Sequence, residues 1–370
     1  MINSKRILVA PLNWGLGHAT RCIPIINALL VNGHTPIIAS DGVALSLLQK
    51  EFPNLEFAEL PSYKIKYAKK GKNFKLKMIW DSPKILKAMA NEKKQTKKLV
   101  KKLKLDGIIS DNRLGVYSKK VPSIFITHQL NVLTGNTSWM SSKVHQKIIS
   151  KYTECWVPDV KSKPNLSGRL GHIKNSNLNI KYLGPLSRFN KTNSTKKYDL
   201  MILLSGPEPQ RTLLEEKLLA EIPTYIGQVL FVKGVIEGSQ QKENKTLGNA
   251  NVTFYNFMQS EGLQNAISES ELILCRSGYT TILDLAKMEK KAFFIPTPGQ
   301  YEQEYLAKRL HKNRLVPYAK QEEFTLKDLE KVTKYEGLKS FNSFLDYSGL
   351  FSAFSKVNEN SEPTSSTLSI

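Results

Sequence analysis

The sequence predicts an α/β protein of two Rossmann-like, doubly wound parallel-sheet domains facing each other across a cleft. Three observations carry this expectation. Short apolar runs alternate with helical patterns along both halves, at the spacing of strand–helix–strand units. At 370 residues the chain is too long for one ordinary core. Between the halves, "LSRFNKTNSTKK" loses its apolar period and fills with Asn, Thr, Ser and Lys, a linker composition. The expected domains are 1–185 and 198–345, joined by the linker 186–197 and followed by a C-terminal segment 346–370.

In the first half, Ile7–Pro11 reads as a strand, Arg21–Asn32 as a helix closed by Gly33, Thr35–Ser40 as a strand and Ala44–Glu51 as a helix. Leu105–Ser110 and Val121–Thr127 read as buried strands, with Glu154–Pro158 and Ile180–Pro185 as shorter ones. The second half opens with a strand at Tyr198–Gly206 and a helix at Arg211–Ile222. Strands follow at Gln228–Gly234, Asn251–Phe257, Ser270–Gly278 and Lys291–Pro296, with helices at Thr280–Met288 and Gln303–Lys312. The polar tail after Val357 predicts disorder.

Composition narrows the function classes. With 41% hydrophobic and 23% charged residues the chain is globular, and no apolar run is long enough to span a bilayer. The N-terminal apolar run stops at Asn13, too soon for a signal peptide, so a cytoplasmic protein is expected. Cys22, Cys155 and Cys275 are too few and too dispersed for a disulfide framework or a zinc site.

The net charge of +22 calls for an anionic partner, and it is unevenly spread. Sixteen lysines against two acids lie between Lys64 and Lys104, interleaved with Phe74, Leu76, Met78, Ile79 and Trp80. Such a segment can lie on an anionic membrane surface or form the solvated face of a helix. No stacking platform or reader motif points to nucleic acid.

Ligands of open parallel sheets sit beyond the carboxyl ends of the strands. In "CRSGYTTILDL", Arg276 can neutralise a diphosphate, and the turn Ser277, Gly278, Thr280 and Thr281 offers N–H groups and hydroxyls at a helix start. Asp284, one turn on, can accept from two ribose hydroxyls; the bland alternative is a capped helix with a solvated acid. Glu302 and Gln303, after "PTPG", suit adjacent sugar hydroxyls or merely enrich a first helical turn. Ser205, Gly206 and Arg211 mark a third strand end, where a plain turn is equally compatible. "LNWGLGHATR" places Gly15, Gly17, His18 and Arg21 after the opening strand, and Asp111 and His128 end two others.

Together, and in this order, these motifs resemble the two-domain GT-B nucleotide-sugar glycosyltransferases. The likeness is to the lipid-linked peptidoglycan precursor N-acetylglucosaminyltransferases and the diacylglycerol glycosyltransferases, and within them to a GxGHxxR subgroup. The resemblance implies UDP-sugar binding through Arg276, Ser277, Gly278, Thr280, Thr281, Asp284, Glu302 and Gln303, with a uracil pocket at Tyr255–Met258 that includes Phe257 and Met258. It implies an acceptor domain in the first half, a lipid-linked or other hydroxyl acceptor, and a peripheral membrane location. An inverting transfer needs a base: His18 is the first candidate, with Asp111 either orienting it or contacting the acceptor, and His128 competes with it. No Asp-x-Asp stands near a strand end, so no metal or other cofactor is expected. A nucleotide-sugar 2-epimerase on the same fold and a non-catalytic basic binding protein are the rival readings.

Overall fold

The computed structural model describes residues 4–63, 74–133, 138–174, 176–235, 238–341 and 349–355, without the side chains of 74–84 and 340. Seven strands form the first sheet: β1 (Arg6–Pro11), β2 (Thr35–Ser40), β3 (Glu56–Glu59), β4 (Gly107–Asp111), β5 (Ser123–Ile126), β6 (Glu154–Val157) and β7 (Ile180–Tyr182). They are ordered β3-β2-β1-β4-β5-β6-β7, and every pair is parallel. β4 and β5 are buried along their whole length, which is why they read as apolar runs rather than alternating patterns. The helices of this half are α1 (Gly17–Val31), α2 (Gly42–Glu51), α3 (Phe74–Lys102) and α4 (Ser138–Ile149).

The second sheet holds β8 (Tyr198–Leu203), β9 (Gly227–Val232), β10 (Lys242–Leu247), β11 (Ala250–Tyr255), β12 (Ser270–Cys275) and β13 (Lys291–Phe294). Its order is β10-β11-β9-β8-β12-β13, parallel except where β10 runs antiparallel to β11. Its helices are α5 (Gln210–Glu221), α6 (Ser260–Ser268), α7 (Tyr279–Lys287) and α8 (Tyr301–Lys312). α7 buries Tyr279, Ile282, Leu283, Leu285 and Ala286, the single stripe expected of a helix docked on a sheet. Strand order reverses between β1 and β4 in one sheet and between β8 and β12 in the other, and each reversal opens a crevice at the strands' carboxyl ends.

Several boundaries differ from the sequence reading. α1 starts at Gly17, four residues before the expected helix, because Gly15 (φ +72°) makes the turn. His18 therefore stands on the helix, one turn before Arg21, rather than in the loop that precedes it. The edge strands β3 ("EFAE") and β10 ("KENKTL") are charged and carry no apolar period, so pattern alone passes over them.

The halves also exchange core residues. Leu166 and Leu170 of the first half, with Phe189 of the linker, are buried among Tyr279, Leu306 and Leu310 of the second. In return Leu350, Phe351 and Phe354 pack against Ile7, Ile26 and Trp156 of the first. The stretch 186–197 is thus anchored at its start, with Leu186 and Phe189 each 1% exposed. The tail after Val357 lies outside the described residues.

From Ile85 onward α3 buries Ala88, Glu92, Thr96 and Val100 at four-residue spacing, while Lys93, Lys94, Lys97, Lys98, Lys101 and Lys102 are exposed. This part of the lysine run is the solvated face of a docked helix. Residues 64–73 and the side chains of Phe74, Leu76, Met78, Ile79 and Trp80 fall outside the described residues. Among the described residues no helix is long and apolar enough to cross a membrane.

Candidate active site

The first wall of the cleft is built on the β1/β4 reversal, where Pro11 and Asp111 are register partners. Asp111 is fully buried, and the Arg21 guanidinium grips it with Nε on Oδ2 and Nη2 on Oδ1. Burial opposes ionisation of Asp111, but Arg21 and His18 overcome it and hold the carboxyl well below its ordinary range. Arg21 reaches two histidines as well: Nη2 lies 2.8 Å from His18 Nδ1 and Nη1 lies 3.3 Å from His128 Nδ1. His18 Nδ1 is also 3.0 Å from Asp111 Oδ1, while its Nε2 has no hydrogen-bond partner among the described residues. Burial and the nearby Arg21 charge lower the His18 pKa, and Asp111 offsets only part of this.

Across the cleft, His128 Nε2 is 2.8 Å from Glu302 Oε1, and Gln129 Nε2 donates to the other carboxylate oxygen. The His128 ring stacks on Tyr279 with centroids 4.1 Å apart, and Tyr279 donates its hydroxyl proton to Pro158 O at 2.7 Å. A continuous polar chain therefore runs from α1 through two histidines to α8. Gly17 approaches Thr280 so closely that a Cβ there would sit 2.6 Å from Thr280 Oγ1. Two helix N-termini meet at that point. Neither α1 (N-cap Leu16) nor α7 (N-cap Gly278) has a side-chain cap or an acid in its first turn, so their N–H groups stay available to an anion.

Other expected residues sit differently. Arg276 is 1% exposed and donates to the carbonyls of Ile295, Pro296 and Gln210 and to Gln321 Oε1, so it ties strand ends together rather than facing a diphosphate. Arg211 is engaged by Glu208 at 2.5 Å and Glu215 at 2.6 Å, which occupies the fork expected to hold phosphate. Ser277 Oγ donates to Gln303 O, and the Gln303 amide serves the Thr297 N–H and Gln300. Ser205 and Gly206 are exposed at the end of β8, and Thr281, Phe257 and Met258 are partly exposed. Spacing alone left out Gln129, Tyr279 and Ser187. Tyr279 stands inside the motif quoted for the diphosphate and Gln129 next to His128, so the signal was present but unassigned.

Asp284 accepts from Ser187 Oγ at 2.5 Å. Burial pushes its pKa up to about 6 against the pull of Ser187 and Arg188. A carboxyl whose folded pKa is raised contributes stability that is complete below its unfolded value of about 3.9. That contribution is lost as pH rises through about 6. Asp284→Asn is expected to flatten the stability–pH curve across this window, read by urea unfolding at its two ends. A slope unchanged from wild type rejects the assignment.

A family model described as the glycosyltransferase family 28 C-terminal domain matches residues 210–342. The chain is 23% identical to the UDP-N-acetylglucosamine–N-acetylmuramyl-(pentapeptide) pyrophosphoryl-undecaprenol N-acetylglucosamine transferase of Glaesserella parasuis, over 89% of this chain and 88% of that protein. The protein of the same name from Histophilus somni is 24% identical over 57% of this chain and 58% of its own length. Among solved structures, the glycotransferase of kitacinnamycin superposes with a TM-score of 0.61 at 13% identity, covering 96% of both chains. Acinetobacter baumannii MurG superposes with a TM-score of 0.54 at 16% identity, covering 90% of both. The protein is a GT-B glycosyltransferase. The glycosyltransferase uses a nucleotide sugar, and the family match spans α5 to the turn after Lys339, the half that contributes α7 and Glu302.

Proposed function

We propose that this glycosyltransferase moves a hexose or N-acetylhexosamine from a UDP-sugar to an acceptor hydroxyl, with inversion and without a metal. The observation that carries the reading is the meeting of the uncapped α1 and α7 N-termini at Gly17 and Thr280, beside the His18–Asp111 pair. Two such termini favour a diphosphate between them and stabilise the charge that builds as it leaves.

In the proposed step, the acceptor oxygen bonds to the anomeric carbon as the bond from that carbon to the β-phosphate oxygen breaks. His18 Nε2 takes the hydroxyl proton, and the nucleoside diphosphate departs with the electron pair. Asp111 receives the Nδ1 proton's hydrogen bond and steadies the imidazolium. A single displacement inverts the configuration. The α1 and α7 amides supply the positive potential that a metal supplies elsewhere. Glu302, partly exposed beside His128, would take the sugar hydroxyls.

The relatives named above point to a lipid-linked acceptor, and the lysine-rich segment Lys64–Lys104 suits an anionic inner-membrane face. Incubation with a panel of UDP-sugars and a lipid extract, followed by mass spectrometry, is expected to show one sugar transferred. Conversion of a UDP-sugar to its epimer without any acceptor would instead establish the epimerase reading, and binding of no UDP-sugar would remove both.

A further inference from the structure

The GxGHxxR turn carries an arginine whose three-way contacts go beyond closing a salt bridge. Arg21 is 1% exposed, and its guanidinium makes four contacts, two to one carboxylate and one to each of two imidazoles. Those imidazoles serve opposite walls. His18 presents an unpartnered Nε2 on the first wall, and His128 holds Glu302 of the second wall at 2.8 Å.

We propose that Arg21 is the positioning residue of this active site. By gripping Asp111, one guanidinium sets the orientation of the base, His18, and through His128 that of the sugar-side carboxylate, Glu302, so both are aligned on one reaction centre. The inference rests on the reading of His18 as the base.

The geometry states how this works. Nη2 has two hydrogens: one goes to Asp111 Oδ1, and the other points at His18 Nδ1, which is also in reach of Asp111 Oδ1. Nδ1 can accept from Arg21 or donate to Asp111, but not both at once. With the proton on Nδ1 and given to Asp111, Nε2 has a free lone pair and is a base. A doubly protonated ring would bring a second positive charge to 2.8 Å from the guanidinium, so Arg21 disfavours the imidazolium in the resting site. The charged and titratable groups facing His18 are Arg21 on its own helix, Asp111 at the end of β4, His128 after β5 and Glu302 on α8. Cys22, whose thiol burial pushes upward, stays neutral beside Asp111.

At His128 the logic differs. Nδ1 accepts from Arg21, so Nε2 carries the proton and donates to Glu302. The guanidinium thereby fixes which nitrogen meets the carboxylate.

The test is a double-variant cycle with pH profiles on the full chain. Arg21→Gln is expected to lower kcat about tenfold or more, raise the donor KM, and move the acid limb of kcat/KM to higher pH, because the charge that lowered the His18 pKa is gone. Arg21→Gln combined with His18→Ala should have a kcat lower than that of His18→Ala by no more than His128→Ala alone costs, since the rest of Arg21's effect on turnover passes through His18. Multiplying losses, or an acid limb that stays in place, overturns the proposal. If Arg21→Gln does not fold, Arg21→Lys keeps the charge beside Asp111 without the fork. It should then lose kcat and raise donor KM with a smaller movement of the limb, and wild-type kinetics in Arg21→Lys also overturn the proposal. Titration of His18 by NMR in the folded proteins needs no turnover. A lower His18 pKa in wild type than in the Arg21 variant supports the positioning role even where no UDP-sugar is used, whereas equal values reject it.

Discussion

Arg113→Ala is expected to destabilise the protein by about 3–5 kcal/mol, because it strands two buried carboxylates. Arg113 is fully buried; Nη1 donates to Glu92 Oε1 at 2.9 Å and Nη2 to Asp41, while Nε donates to Pro11 O at 2.9 Å. Glu92 is itself fully buried and further bound by the Tyr63 hydroxyl and the Gly115 N–H. Burial raises the Glu92 pKa despite Arg113, so folding shifts Glu92 toward its neutral form relative to the unfolded chain. Without the guanidinium that preference strengthens. The penalty of the variant should therefore be largest near neutral pH and shrink as pH falls toward the carboxylate range. Urea midpoints of wild type and variant at several pH values read both the size and the slope. A loss below about 1 kcal/mol at neutral pH would show that water or rearrangement supplies the missing partner. Because Arg113 holds the carbonyl at the end of β1, activity should fall more than the folded fraction alone accounts for.

Much of this arrangement was legible in the sequence, for a definite physical reason. Strands covered on both faces must be apolar throughout, so β1, β4 and β5 announced themselves within a residue or two. Polar residues at the ends of such strands have few structural excuses, and His18, Asp111 and His128 were found that way. Side-chain direction was not legible. Arg276 follows a strand like the others, yet its guanidinium turns back onto four acceptors of the scaffold, a choice set by carbonyls at Ile295, Pro296 and Gln210 that no local spacing encodes. Nor was the bond between His128 and Glu302, which joins residues 174 apart in sequence and exists only because the halves face each other. Burial of Leu166 and Phe189 in the opposite half's core has the same origin: a linker composition does not reveal which of its few apolar residues are anchors.

The choice between the two histidines turns on their free nitrogens. His128 has both committed, Nδ1 toward Arg21 and Nε2 toward Glu302, so it has no free lone pair turned to the cleft with which to take a proton. His18 uses only Nδ1, and its side chain is 15% exposed at the cleft. His18→Ala is accordingly expected to lower kcat by about 10²- to 10⁴-fold, the range of a lost general base. The donor KM should stay within a few-fold, because on the proposed reading the helix termini and Glu302, not His18, hold the nucleotide sugar. His18→Gln, which can still hydrogen-bond to Asp111 but cannot accept the proton, should be no better than His18→Ala. His128→Ala should show the opposite pattern, a raised donor KM with a smaller fall in kcat, since it releases Glu302 rather than the base. Steady-state kinetics on the three variants separate the cases. Burial and Arg21 keep the His18 pKa below 6.5, so wild-type kcat/KM should be level through neutral pH and fall only on the acid side. If that acid limb survives in His18→Gln, or if His128→Ala alone abolishes turnover at saturating donor, the base is not His18.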